Sequence, residues 1–164
     1  RAMGAEGLRR VSEDAVLNAN YIRSNVKDDF DVAFPGYCMN DFTLTLTRQA
    51  KEDNVTAKDV GKRMLDYGVH APTTYFPLHV DECLQFEPTE TESKQDLDMI
   101  IDVMQKIAEE IKTEPETVQT APHNVPVVRL DEVLASRKPV LTYDKEKIAD
   151  QYEAFKETHA ELFE

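Results

Sequence analysis

The chain has 164 residues, 41% of them hydrophobic and 31% charged, which suits one domain with a sizeable core or a small domain with a long tail. A formal net charge of −13 argues against a general nucleic-acid or anionic-membrane binder, because phosphate attraction needs a basic surface. Five Gly and eight Pro are too few for a low-complexity chain, and no apolar run approaches the about 18 residues of a membrane-spanning helix.

The first ten residues, RAMGAEGLRR, lack the apolar core of a secretory signal. They do not open on Met, and helical periodicity starts almost at once, which suggests a chain cut from something longer. From about Glu6 to Val26, Leu8, Val11, Ala15, Ala19 and Ile22 recur at three- and four-residue steps, the stripe of an amphipathic helix. Leu17 and Tyr21 widen the stripe, so the helix is expected to be covered on two sides. Asp28 and Asp29 end it, and Phe30 to Phe34 reads as a short strand before a Pro35-Gly36 turn.

In DFTLTLTR, from Asp41 to Arg48, Phe42, Leu44 and Leu46 alternate with threonines, the period of a half-buried strand. Polar residues 49 to 54 are expected to form a loop. Thr56 and Asp59 then make a capping pair for a helix to Tyr67, buried through Val60 and Met64, with Gly68 at the left-handed cap.

The stretch from Asp66 to Ser93 is a Pro-interrupted loop carrying His70, Thr73 and Thr74, followed by a short strand at Leu84 to Glu87. Thr89 with Glu92, or Ser93 with Asp96, caps the next helix, whose stripe runs from Leu97 through Met104 to Ile111. Residues 112 to 128 hold Pro115, Pro122 and Pro126 without a clear period, and read as a strap. A short helix is expected from Asp131 to before Pro139. A terminal helix follows from Lys145 to Phe163, with Ile148, Tyr152, Phe155, His159 and Leu162 on one side. These elements divide the chain into a small α+β domain over 1–111, an extended strap with a short helix over 112–143, and a C-terminal helix over 144–164. The fold class is α+β, a small sheet with helices packed on one face.

Cys38 and Cys83 stand alone without a C-x-x-C pair, as expected of reduced thiols in a cytoplasmic protein. His70, His79, Asp81, Glu82 and Cys83 are metal-ligand types, but their spacing matches no zinc pattern and no metal is expected.

The segments MGAEGLRRVSEDAVLNANYI, GKRMLDYGVHAPTTYFPL, EPTETESKQDLDMIIDVM and APHNVPVVRLDEVLASRKPVLTY occur in that order. Together they resemble the C-terminal domain of the glycine-cleavage P-protein family, a resemblance covering about residues 2 to 143. YFPLHVDECLQFEPTETES is most similar to subunit 2 of the two-subunit bacterial form. The helix from Lys145 onward matches nothing in that pattern.

The resemblance implies the small domain of a fold-type I, aminotransferase-like pyridoxal phosphate enzyme, packed against a larger cofactor-binding domain. It implies glycine decarboxylation, an oxidoreductase activity of glycine catabolism, with transfer of the aminomethyl group to the lipoyl arm of H-protein. Subunit 1, lipoylated H-protein and the missing large domain are the partners it implies. Such a cofactor needs a Schiff-base lysine and a Gly- or Ser-rich phosphate cradle. Lys62 lies inside an ordinary helix and the five glycines never cluster. The family's cofactor lysine has no counterpart here, so the chain is expected to bind no cofactor and to be inactive alone, with no catalytic residue of its own.

The residues expected to line substrate or tunnel are His70, Thr73, Thr74, Glu87 and Thr89. His70 reads either as a residue at the mouth of the site or as one that fixes its loop by hydrogen bonds. Thr89 reads first as a helix cap, and Glu87 either as a cleft residue or as a solvated carboxylate. Strand Leu84 to Glu87 carries no Arg to clamp a substrate carboxylate, so such a clamp lies elsewhere or glycine's carboxylate is left loosely held. His123, in APHN, reads as a packing or partner-contact residue. The reading from another class is a free-standing α+β interaction or regulatory domain without catalysis.

Overall fold

The computed structural model describes residues 2–158, leaving His159 and Leu162 of the expected terminal stripe outside the described residues. The chain divides into two compact units, one ending at Val125 and the other beginning at Pro126. The first holds α1 (Gly4–Val26), β1 (Asp31–Val32), β2 (Phe42–Thr45), α2 (Thr47–Glu52), α3 (Ala57–Asp66), β3 (Thr73–Thr74), β4 (Cys83–Phe86), α4 (Lys94–Thr113) and α5 (Pro115–Thr120).

The strands form an antiparallel sheet in the order β1-β2-β4-β3, so the domain is α+β as its pattern implied. Register places Leu44 opposite Leu84 and Phe42 opposite Phe86, whose rings stack at 5.1 Å. Side chains paired across antiparallel strands share a face. This face packs into one core with Ala19, Ile22 and Val26 of α1, Val60 and Met64 of α3, and Met104 and Ile107 of α4. Burying a leucine such as Leu44 or Leu84 contributes about 1.5–3 kcal/mol each.

The other face of the sheet carries Thr43, Thr45, Cys83 and Gln85 and is overlaid by two loops. The Thr45 hydroxyl donates to the Asp81 carbonyl at 2.8 Å, and the Cys83 thiol donates to the Pro77 carbonyl at 3.7 Å. Helices therefore cover one face and loops the other.

Five elements differ from the sequence pattern. The strand expected through Arg48 stops at Thr45, and the polar loop that should follow is α2. The Thr45 and Thr47 hydroxyls both reach the Asp81 carbonyl, while the Leu46 N–H donates to the Glu82 carbonyl at 2.7 Å, curling the chain out of the sheet. Thr73 and Thr74, read as loop, form β3 by pairing with Gln85 and Leu84. The strap contains α5, because Pro115 sits in its first turn, where a proline costs no hydrogen bond, and Val118 is fully buried. In α1 the stripe is buried only from Ala19 on, while Leu8 and Leu17 are exposed, so that end is not covered on two sides.

The second unit holds α6 (Glu132–Arg137) and α7 (Lys145–Thr158). Asp131 caps α6 by accepting the Leu134 N–H at 2.8 Å, as its sequence position implied.

Candidate functional site

The groove that brings sequence-predicted residues together lies where α3 ends, β4 ends and α4 begins. Helix α3 starts on a capping box, with Thr56 and Asp59 each accepting the other's backbone N–H. It stops at Gly68, whose φ of +73° is the left-handed conformation that glycine adopts without strain. The Val69 N–H then bonds the Met64 carbonyl and the Gly68 N–H the Leu65 carbonyl, the two bonds of a Schellman turn. This turn buries Val69 and presents His70 to solvent.

His70 lines a groove of about 340 Å³ with Gly68 to Pro72, Phe86 to Pro88, Ile22, and Glu92, Asp96, Met99 and Ile100. The floor is apolar, from Ile22, Val69, Phe86 and Ile100, and the rim carries His70, Glu87, Glu92 and Asp96. No lysine or arginine lines it. His70 is exposed, and its ring makes no hydrogen bond among the described residues. Glu87, just past β4, accepts from the Asn40 side-chain amide at 3.3 Å and is exposed.

The three threonines part company with His70. The pairing of Thr74 with Leu84 turns it to the core face, beneath α3, and its hydroxyl donates to the Pro72 carbonyl at 3.2 Å. Thr73 pairs with Gln85 and therefore belongs to the opposite, loop-covered face. Thr89 is not the cap that its spacing suggested. Ser93 and Asp96 close the capping box of α4, and the Thr89 hydroxyl instead bonds the Thr91 hydroxyl at 2.7 Å.

Between the last turns of α3 and α4 lies an ionic cluster that the sequence pattern did not flag. Arg63 donates to both carboxylate oxygens of Glu110, at 2.9 and 2.8 Å, and to Asp66 at 2.9 Å. The Tyr67 hydroxyl donates to the same Glu110. The Arg63 hydrogen bond holds Glu110 below the ordinary carboxylate range against the opposing effect of burial. Burial pushes Asp66 up, but the N–H groups of Asn124 and His123 and the Arg63 guanidinium outweigh it and leave its pKa lowered. The cluster's signal is Arg63 and Asp66 one turn apart on α3, opposite an acidic residue of α4 whose proximity only the fold reveals.

Burial raises the pKa of Cys38 and of Cys83, so both remain thiols rather than nucleophilic thiolates at neutral pH. No three His, Cys, Asp or Glu side chains are placed to hold a metal among the described residues. No helix among them is long and apolar enough to cross a membrane. His123 bonds the Thr117 carbonyl through its ring at 3.0 Å and donates its backbone N–H to Asp66, serving its own turn.

The family described as glycine dehydrogenase, C-terminal domain, matches residues 11–128. The probable glycine dehydrogenase (decarboxylating) subunit 2 of Staphylococcus haemolyticus is 55% identical over 144 residues, 88% of this chain and 29% of that protein. The protein of the same description from Thermosipho africanus is 52% identical over 147 residues, 90% of this chain and 31% of that protein. The chain thus spans about 30% of the length of the curated relatives it matches. Among solved structures, a glycine decarboxylase (P-protein) of the glycine cleavage system, in inhibitor-bound form, matches with a TM-score of 0.54 at 22% identity. That match covers 65% of this chain and 23% of the other, and establishes likeness of fold.

Proposed function

The chain belongs to the glycine dehydrogenase C-terminal domain family, and from that premise we propose that it forms one wall of the active-site cleft of a glycine-decarboxylating subunit 2. The observation that carries the proposal is the groove in which His70 and Glu87 meet over an apolar floor. Its acidic rim suits a ligand bearing an ammonium group, as glycine and an aminomethyl group do. His70 offers a hydrogen bond that would orient such a ligand. Thr73 would contribute from the loop-covered face of the sheet, and Thr74 and Thr89 would act by shaping the loops that carry His70 and Glu87.

The groove does not fit pyridoxal phosphate. It has no lysine for a Schiff base, and Glu92 and Asp96 stand at the start of α4, where they would repel a phosphate. The cofactor of the whole enzyme would therefore be held by sequence outside this chain, with subunit 1 and lipoylated H-protein as partners in the cytoplasm. The contribution of this chain is to bound the cleft and exclude water from it.

The test is glycine decarboxylation by the complete two-subunit enzyme with its lipoylated carrier. Loss of a hydrogen bond to a charged group costs about 1.5–3 kcal/mol, so His70→Ala should lower kcat/KM by about 10- to 150-fold. Thermal stability should stay unchanged, because the ring has no partner in the fold. Unaltered kcat/KM would remove His70 from the site.

A further inference from the structure

We propose that the depression bordered by Arg23 and Asp41 is a binding site for a free α-amino acid with an apolar side chain. It measures about 320 Å³, within the roughly 300–1,000 Å³ of small-molecule sites, and shares no lining residue with the His70 groove. Arg23 comes from the last turn of α1, Asp41 from the position before β2, and Gln85 from β4. Phe34, Met39 and Phe42 supply apolar surface to the same depression. Nothing in it depends on the role of the His70 groove.

Two opposite charges border this one cavity without pairing. Arg23 and Asp41 are both half-buried, and neither makes an ion pair among the described residues. A charge drawn partly out of water without a partner is costly, and a ligand group of opposite sign relieves that cost. The Gln85 amide donates to Asp41 Oδ2 at 2.8 Å, which fixes the carboxylate and leaves Oδ1 to accept. The guanidinium fork of Arg23 suits a carboxylate, and an aspartate oxygen suits an ammonium group. An α-amino acid carries both groups on one carbon, and its side chain would meet the apolar surface of Phe34, Met39 and Phe42.

The wall of the site is built in advance. The Asn20 side-chain amide donates to the Cys38 carbonyl at 2.8 Å and accepts the Cys38 N–H at 3.1 Å. The Ala33 N–H donates to the Thr43 carbonyl at 2.9 Å. These bonds tie the 33–40 loop to α1 and to β2, so a ligand spends little on ordering it. Net charge separates the ligand classes. At −13 the chain repels a simple anion and draws a simple cation to its whole surface, whereas a zwitterion is held only where both charges are matched. Glycine has no side chain for the apolar wall, so a larger aliphatic amino acid is the better fit.

L-Leucine titrated into the whole chain, followed by two-dimensional amide NMR, tests the site. Glycine, isocaproate (no ammonium group) and isopentylamine (no carboxylate) are titrated in parallel. Leucine should give saturable shifts at the Asp41, Thr43 and Gln85 amides. Each one-charge analogue should bind about tenfold or more weakly, since each loses a hydrogen-bonded charge. Arg23→Gln and Asp41→Asn should weaken leucine by a similar factor and leave the rest of the spectrum in place. The absence of saturable shifts with leucine overturns the proposal, as does unchanged leucine affinity in either folded variant. Isocaproate or isopentylamine binding as tightly as leucine also overturns it, and so does glycine, which would leave the apolar wall without a role. The ligand series uses the unsubstituted chain, so it decides the matter even if a variant fails to fold.

Discussion

The Asp66 carboxylate accepts the backbone N–H of Asn124 at 2.7 Å, and the Asp66 carbonyl accepts the Asn124 side-chain amide at 3.5 Å. The same carboxylate takes the His123 N–H and one arm of Arg63, and its side chain is only 1% exposed. A charge at the end of α3 thereby pins the turn that follows α5, just before the chain passes to its second unit. The residues that end in the groove turn at Gly68 and those that end in the strap are tied to one carboxylate.

That carboxylate makes stability acid-sensitive in a defined direction. Asp66 and Glu110 both have lowered folded pKa values, so the unfolded chain binds more protons in acid. Their contribution is fully present above the ordinary carboxylate value of about 4 and is lost as pH falls through the lower folded values. The urea midpoint should be level from about pH 7 to 5 and drop below about 4. Asp66→Ala should cost about 1–3 kcal/mol at pH 7 and flatten that drop. An acid drop as steep in Asp66→Ala as in the parent would mean that another carboxylate governs it.

The pair of Arg63 with Glu110 is bidentate and shielded, with side chains 13% and 20% exposed. Removing one partner leaves the other charge half-buried, so Glu110→Ala should cost about 3 kcal/mol, toward the low end of the range for broken buried pairs. Arg63→Lys should recover little, since an ammonium cannot reproduce two parallel N–H bonds. A double-mutant cycle in chemical denaturation measures the coupling, and a value near zero would reduce the pair to a surface contact.

Helix α4 had two caps written into its sequence, and the structure uses the second. Ser93→Ala should cost about 1 kcal/mol by removing the acceptor for the Asp96 N–H, whereas Thr89→Ala should fall within about 0.5 kcal/mol of the parent. Equal losses in thermal melts would contradict the assignment.

The ambiguity over α4 shows where sequence was sufficient and where it was not. Helices α3 and α4 were legible because stripe and cap signals agreed within each segment, and α1 because its stripe ran up to the aspartates that end it. Thr56 with Asp59 and then Gly68 mark both ends of α3 without any tertiary help. Elements made by long-range pairing were not legible. Thr73 and Thr74 become a strand only through Gln85 and Leu84, and Thr47 leaves the sheet for α2 because of the Asp81 carbonyl 34 residues away. The site divides in the same way. His70 and Glu87 sit at element ends that the pattern fixes and meet in the groove, while Thr73 and Thr74 separate because strand pleat sends neighbours to opposite faces.

Gly61 offers a test of packing beneath the candidate site. It lies in the interior of α3, fully packed against the segment that carries His70 and Thr74. A Cβ added there would meet the Ala71 Cβ at 3.5 Å and the Thr74 hydroxyl at 3.6 Å, ordinary van der Waals distances. A methyl group therefore fits without moving either neighbour. Alanine also restricts the unfolded chain and favours helix over glycine by about 0.5–1 kcal/mol. Gly61→Ala should thus raise the unfolding free energy by about that amount and leave the groove intact. A larger residue has no such room, and Gly61→Val should be destabilising by about 1–3 kcal/mol through overpacking against β3. Thermal melts of the two variants read the sign directly. A loss on Gly61→Ala would mean that α3 and the loop before β3 approach more closely than these distances allow.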